Sequence, residues 1–213
     1  IHDEGLLVED YRVAPYCPRC GTTLSDHELA QGYEDVTDPS VYVRFPLTSG
    51  PLAGKASLLV WTTTPWTLVS NTAAAVHPDV TYVVATKDEP DGESLVVAEA
   101  LAEKVLGDGW LLGQTFQGKE LEYWTYSRPL DLVEFPDVVG GTHYVLLADY
   151  VTTEDGTGLV HEAPAFGEVD MEACRAYGLP LVNPVRPDGT FEEGLDLVGG
   201  LFFKDADAVV IDD

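Results

Sequence analysis

Cationic residues are scarce in this sequence. Its 213 residues include 11 Lys and Arg against 37 Asp and Glu, a formal net charge of −26. A protein that tracks nucleic-acid phosphates needs clustered Lys and Arg, because affinity comes from neutralising phosphates and releasing their counterions. No such cluster is present, which argues against an extended duplex-binding surface and against DNA as a partner. Capture of a single nucleotide end by backbone N–H groups and stacking remains open. The acidity itself reads as solubility or a salt-rich cytoplasm. Cysteine is equally sparse. Cys17, Cys20 and Cys174 cannot close a disulfide framework, so a reducing, cytoplasmic location is expected. No apolar run reaches membrane-spanning length and no charged-then-apolar leader opens the chain, so no membrane is expected. The chain starts at Ile1 and contains one methionine, Met171; a piece of a longer protein is the simplest expectation.

What is present divides at about residue 40. Residues 1–40 are turn-rich around Cys17-Pro18-Arg19-Cys20, with a short helical turn expected near Ser25, and form a junction segment. Residues 41–213 form the main domain. Strands are expected at 41–46, 57–63, 80–85, 121–126, 143–149 and 158–161 from their β-branched and aromatic enrichment. Gly and Pro punctuate them at short intervals, as in barrels and sandwiches. Helices are expected at 97–106, where Val97, Leu101 and Val105 share a face and Gly107 stops the run, at 168–177, and from Lys204 onward. The expected fold is α+β, mostly β: a closed or nearly closed barrel with a few surrounding helices.

Three groups of residues carry possible chemistry. Cys17 and Cys20 have the knuckle spacing with which two thiolates bind one zinc ion. They are half of such a site, a redox couple, or free; the flanking Pro15, Pro18 and Gly21 favour half a zinc site over a helix-opening redox motif. In Trp61–Thr67 (WTTTPWT), Thr62, Thr63 and Thr64 end a strand that Pro65 stops. Threonines suit strands in general, yet consecutive hydroxyls bracketed by Trp61 and Trp66, with Thr67 and Asn71 nearby, suggest a polar pocket. The third group lies in residues 155–170. Gly156-Thr157-Gly158 can approach a ligand through the backbone, a strand then delivers His161, Ala163 and Pro164 keep a wall small, and Asp170 opens a helix. Either His161 or Asp170 alone would read as structural. A zinc-deaminase signature and a phosphate-cradling loop are both absent, since His161-Glu162 and Gly50–Lys55 have the wrong order or spacing.

Together these stretches resemble the editing domain inserted in the class I aminoacyl-tRNA synthetases for isoleucine, valine and leucine. The match covers nearly the whole chain, through 16–24, 40–46, WTTTPWT, 75–78, 148–161 and APAFGEVD at 163–170. Trp61 before the threonines, with Thr64-Pro65-Trp66 after them, is similar to the isoleucine form rather than the valine one. The HIGH-type and KMSKS-type signatures of the ATP-binding aminoacylation site are absent.

The resemblance implies hydrolytic proofreading of valyl-tRNA(Ile), with valyl-adenylate as a second candidate substrate and no cofactor for editing. It assigns Asp170 to the α-ammonium of the amino acid and Thr62, Thr63 and Thr64 to the substrate and attacking water. His161 would limit size, Trp61 and Trp66 would shape walls, and Gly156, Thr157 and Gly158 would approach the terminal adenosine. Implied partners are the 3′ end of charged tRNA(Ile), valine, and the rest of the synthetase. A second CxxC beyond residue 213 would complete a structural zinc site with Cys17 and Cys20. The competing expectations are a 3′-end binding module without turnover, the equivalent valine-enzyme domain, and a zinc-stapled scaffold.

Overall fold

The computed structural model describes residues 4, 6, 7 and 10–213. A two-stranded hairpin, β1 (Tyr16–Cys17) and β2 (Thr22–Thr23), carries the CxxC turn, and a one-turn helix, α1 (Asp26–Leu29), follows. Ser25 and Glu28 cap α1 reciprocally, which satisfies two of its otherwise orphaned N–H groups. The segment is tied to the rest by Arg175 to Asp10 at 2.6 Å and Lys204 to Asp38 at 3.0 Å.

The main body contains two further sheets. The larger has five strands: β3 (Val41–Pro46), β4 (Ser57–Thr62), β6 (Thr81–Lys87), β7 (Ser94–Ala98) and β8 (Trp110–Gln117), in spatial order β3-β4-β7-β6-β8. Its β4–β7 pairing is parallel and the others antiparallel. The smaller sheet is β10 (Leu159–Glu162), β5 (Ala73–Val76) and β9 (Val145–Leu147), with β5 central. Central strands are apolar on both faces: Leu58, Leu59 and Val60 in β4 and all of β5 are buried. One continuous core joins the sheets, including Phe45, Leu58, Tyr82, Val96, Tyr126, Leu159 and Phe191. Helices α2 (Ala102–Leu106), α3 (Glu168–Ala176) and α4 (Phe203–Asp212) lie around it. No helix among the described residues is long and apolar enough to cross a membrane.

The mostly β architecture with a few helices matches the expectation, but the sheets are separate and open, so the expected barrel closure is not found. Strand Val41–Pro46 has its expected bounds. Residues 121–126 are not a strand: Tyr123 has φ of 63°, which breaks an extended ladder, and only isolated bridges form at Thr125 and Tyr126. The expected helix at 97–106 is a strand to Ala98, a 3-10 turn over Glu99–Leu101, and α2 only from Ala102. Val97 pairs with Val83 instead of facing Leu101 along a helix.

Candidate functional site

β4 ends at Thr62, and the chain then turns through Thr63 and Thr64 into a 3-10 helix, Pro65–Ser70. Pro65 has no N–H to offer a neighbouring strand, and its fixed φ suits a first helical position. The threonine run therefore sits at a strand-to-helix corner, where successive side chains no longer alternate. The 3-10 helix is fixed from outside by α4, whose Asp207 Oδ1 accepts the Trp66 backbone N–H at 2.9 Å. Trp66 is further wedged between Phe166 and Phe203, with ring centroids 4.6 and 4.7 Å away.

β10 runs antiparallel to β5, pairing His161 with Ala74. Successive strand residues point to opposite faces, so His161 and Glu162 look away from each other. The chain then bends through 163–167 into α3, which places Asp170 in its first turn. The result is a pocket of about 380 Å³. Thr62, Thr63, Thr64 and Thr67 line it on one side, His161, Ala163 and Asp170 on the other, and Trp61 and Trp66 stand at its edges. Nine of the residues singled out in the sequence thus converge on one cavity from segments nearly a hundred residues apart. Val160, Phe166 and Gly167 also line it; nothing in their residue types distinguished them beforehand.

The glycine loop is placed differently. Gly156 packs against the back of Trp61, where an added Cβ would come within 2.9 Å of the indole. Thr157 and Gly158 turn into the core: their carbonyls accept the Ala98 N–H at 2.9 Å and the Tyr82 hydroxyl at 2.7 Å. Pro164 is buried outside the lining. None of these four residues lines the pocket. Cys17 and Cys20 lie on the separate hairpin, where the Cys20 N–H points at Cys17 Sγ at 3.4 Å. That N–H, foremost among the causes, pulls the Cys17 thiol below its ordinary range. Among the described residues no group of three or more His, Cys, Asp or Glu is placed to hold a metal ion.

The pocket's polar groups are joined by hydrogen bonds. Thr62 and Thr64 hydroxyls are 3.3 Å apart, Thr64 and Thr67 3.2 Å, and Thr67 to His161 Nε2 2.9 Å. On its far side, His161 Nδ1 meets the Asn71 amide nitrogen at 2.9 Å. Burial holds His161 down to about 4, so the ring is neutral at physiological pH. Asp170 accepts the Ala163 backbone N–H through Oδ2 at 2.9 Å. Burial raises the Asp170 carboxyl, and that N–H opposes the rise. Behind it, Glu162 is fully buried with Oε1 taking the Tyr150 hydroxyl at 2.5 Å and Oε2 without a partner. Burial, then the charge of Asp170, push Glu162 up to about 8.

Chemically, this is a small, mainly apolar cavity lined by a carboxylate, threonine hydroxyls and a neutral imidazole. It contains no Ser-His-Asp or Cys-His nucleophile arrangement, so it suits binding a cationic head group and orienting a water rather than forming a covalent intermediate.

Comparison with known proteins places the fold first. The editing domain of the P. knowlesi cytosolic leucyl-tRNA synthetase superposes with a TM-score of 0.54 at 11% identity, over 85% of this chain and 95% of that one. The fold is that of tRNA-synthetase editing domains. The sequence is more specific. It is 74% identical over its whole length to an isoleucine–tRNA ligase of Thermobifida fusca and 48% identical to that of Thermus thermophilus. Along all its residues the chain therefore matches the corresponding region of isoleucine–tRNA ligases. It spans about 20% of the length of these relatives. No family model matches it.

Proposed function

We propose that this domain hydrolyses valine from mischarged tRNA(Ile), with valyl-adenylate as a possible second substrate of the same pocket. The observation that carries this reading is the convergence of the Thr62–Thr64 corner, His161 and Asp170 on one cavity of about 380 Å³. A single methylene in an apolar pocket is worth only roughly 1–3 kcal/mol, the isoleucine–valine pair being the standing example, so a second, smaller pocket is needed for accuracy.

Asp170 would take the α-ammonium of the aminoacyl group, since one of its oxygens already accepts Ala163 and the other stays available. His161, held on both ring nitrogens, would be a rigid wall that admits valine and excludes the longer side chain of isoleucine. The threonine hydroxyls would hold a water against the ester carbonyl. The water oxygen bonds to the carbonyl carbon, the carbon–oxygen bond to the ribose breaks, and the ribose oxygen leaves with a proton. Trp61, braced by Gly156, would flank the terminal adenosine. Cys17 and Cys20 fit two of the four ligands of a structural zinc ion, whose other two would come from outside this chain.

The test is deacylation of valyl-tRNA(Ile) and isoleucyl-tRNA(Ile) by the 213-residue chain. Hydrolysis of the first and sparing of the second is expected. His161→Ala should extend hydrolysis to isoleucyl-tRNA. Tight binding of a valyl-adenosine analogue without any turnover would instead identify a binding module.

A further inference from the structure

The hairpin that carries Cys17 and Cys20 also walls a second cavity, of about 470 Å³, which the hydrolytic reading leaves unused. Trp66 and Phe166 line both cavities, so the two adjoin across that pair of rings. The rest of the lining is unlike the surface around it. Arg12 reaches it from the segment before the hairpin and Arg186 from the loop beyond α3, and no Asp or Glu lines it. The chain has 37 acidic residues against 11 basic ones. A cavity with two cations and no carboxylate is where an anion meets least repulsion.

Three side chains are set for such a ligand. Arg44, Arg128 and Arg175 each spend their guanidinium on a carboxylate, whereas the Arg12 side chain has no hydrogen bond or ion pair among the described residues. Arg186 is fixed by Thr190, whose hydroxyl oxygen accepts its Nε at 3.0 Å and its Nη2 at 2.7 Å. Its acidic neighbours, Glu193 at 3.4 Å and Asp188 at 3.9 Å, are exposed and screened by solvent. A guanidinium has five N–H donors, so Arg186 keeps some for a ligand. Tyr16 is 42% exposed and has no ring partner among the described residues. A phosphate suits the two guanidinium forks and a flat base suits the phenol ring. A nucleotide offers both, and the volume lies within the range of small-ligand pockets, about 300–1,000 Å³.

We propose that this cavity is a nucleotide site: a nucleoside monophosphate unit stacks on Tyr16 and sets its phosphate between Arg12 and Arg186. A strongly acidic domain then holds a polyanion through one local cationic cavity instead of a basic surface. The unit comes from the tRNA 3′ strand upstream of the terminal adenosine or from a free mononucleotide, which present the same chemistry. The strand source rests on the hydrolytic reading above; the site does not.

The test is calorimetric titration of the 213-residue chain with the trinucleotide pCpCpA and, separately, with AMP. The parent should bind, and more weakly as salt rises. Arg12 and Tyr16 are exposed, so replacing them leaves the core intact. Arg12→Ala and Tyr16→Ala should each weaken binding about tenfold. Tyr16→Phe, which keeps the ring, and Lys119→Ala, an exposed cation outside the cavity, should stay within about twofold. Tighter binding of the trinucleotide assigns the strand; AMP binding as tight or tighter assigns a free mononucleotide. Failure of both probes to bind overturns the proposal, as do losses in Arg12→Ala and Tyr16→Ala no larger than in Lys119→Ala. If the strand is the source, Arg12→Ala should lower kcat/KM on valyl-tRNA about tenfold more than on 3′-O-valyladenosine, which has no upstream nucleotide. Equal losses on the two substrates remove the strand from the cavity. A parent chain that deacylates neither sinks the hydrolytic reading, and the titrations then decide the nucleotide site by themselves.

Discussion

The carboxylate of Asp170 accepts the backbone N–H of Ala163 at 2.9 Å, so the residue that faces the pocket also pins the loop leading into its own helix. The two roles are separable. Asp170→Asn retains an oxygen for Ala163 and loses only the charge. A hydrogen bond to a charged group is worth about 1.5–3 kcal/mol, so kcat/KM for valyl-tRNA should fall roughly 10- to 100-fold with little change in melting temperature. Asp170→Ala should lose both activity and stability. Equal activity of the Asn variant and the parent would remove Asp170 from substrate binding.

Gly167 offers a sharper probe of the same carboxylate. A Cβ there would lie 2.6 Å from Asp170 Oδ1 and 2.7 Å from its Cγ. Gly167 has φ of −125°, which any residue adopts, so Gly167→Ala carries no backbone strain. The Asp170 side chain must rotate away. Deacylation should collapse in this variant, and thermal unfolding should fall toward that of Asp170→Ala, because the rotation also breaks the bond to Ala163.

Stability should depend on pH through two buried groups, Glu162 and His161, and the half-buried His143. Glu162 is pushed up to about 8 from an ordinary 4.5. Between those values the folded state binds more protons than the unfolded one, so stability falls as pH rises. His143 and His161, each held down to about 4 from 6.5 by burial, act in the opposite sense between about pH 4 and 6.5. Above pH 6.5 only the Glu162 contribution of these three remains. Urea unfolding should show stability declining from pH 6.5 to 8, by at most about 1.4 kcal/mol per pH unit. Glu162→Gln should flatten that slope.

Asp207 fastens the threonine corner from a helix 141 residues away in sequence. Removing it leaves the Trp66 N–H without its acceptor, at a cost of about 1–3 kcal/mol. Asp207→Ala should lower stability by that amount and weaken binding of a valyl-adenosine analogue. Calorimetry on the parent and on Asp207→Ala reads the two effects separately.

The site was more legible in the sequence than the sheets that build it. WTTTPWT, His161 and Asp170 are unusual combinations of polar groups at chain corners, and the structure brings them together. β5 escaped because Ala73-Ala74-Ala75 has no strand propensity of its own; close packing between two neighbours makes it a strand. β8 escaped because it is an edge strand with Leu111 and Leu112 exposed and Gly113 at its middle. The Val97–Leu106 run misled because its four-residue spacing fits a helix, whereas pairing of Val97 with Val83 and of Ala98 with Tyr82 holds its first two residues in β7. Thr157 and Gly158 look like ligand-approach residues locally, and only the fold shows that Ala98 and Tyr82 claim their carbonyls.

The alanine strand has one more effect. Ala74 stands opposite His161 on β5, fully buried and outside the cavity. Directly paired residues share a face with Cβ atoms about 5 Å apart, so a bulkier side chain at 74 would press the imidazole forward. If His161 limits size as proposed, that limit would be adjustable from the neighbouring strand, by a residue outside the cavity. On the proposed function, discrimination between two amino acids one carbon apart would then depend on how thin the second layer is.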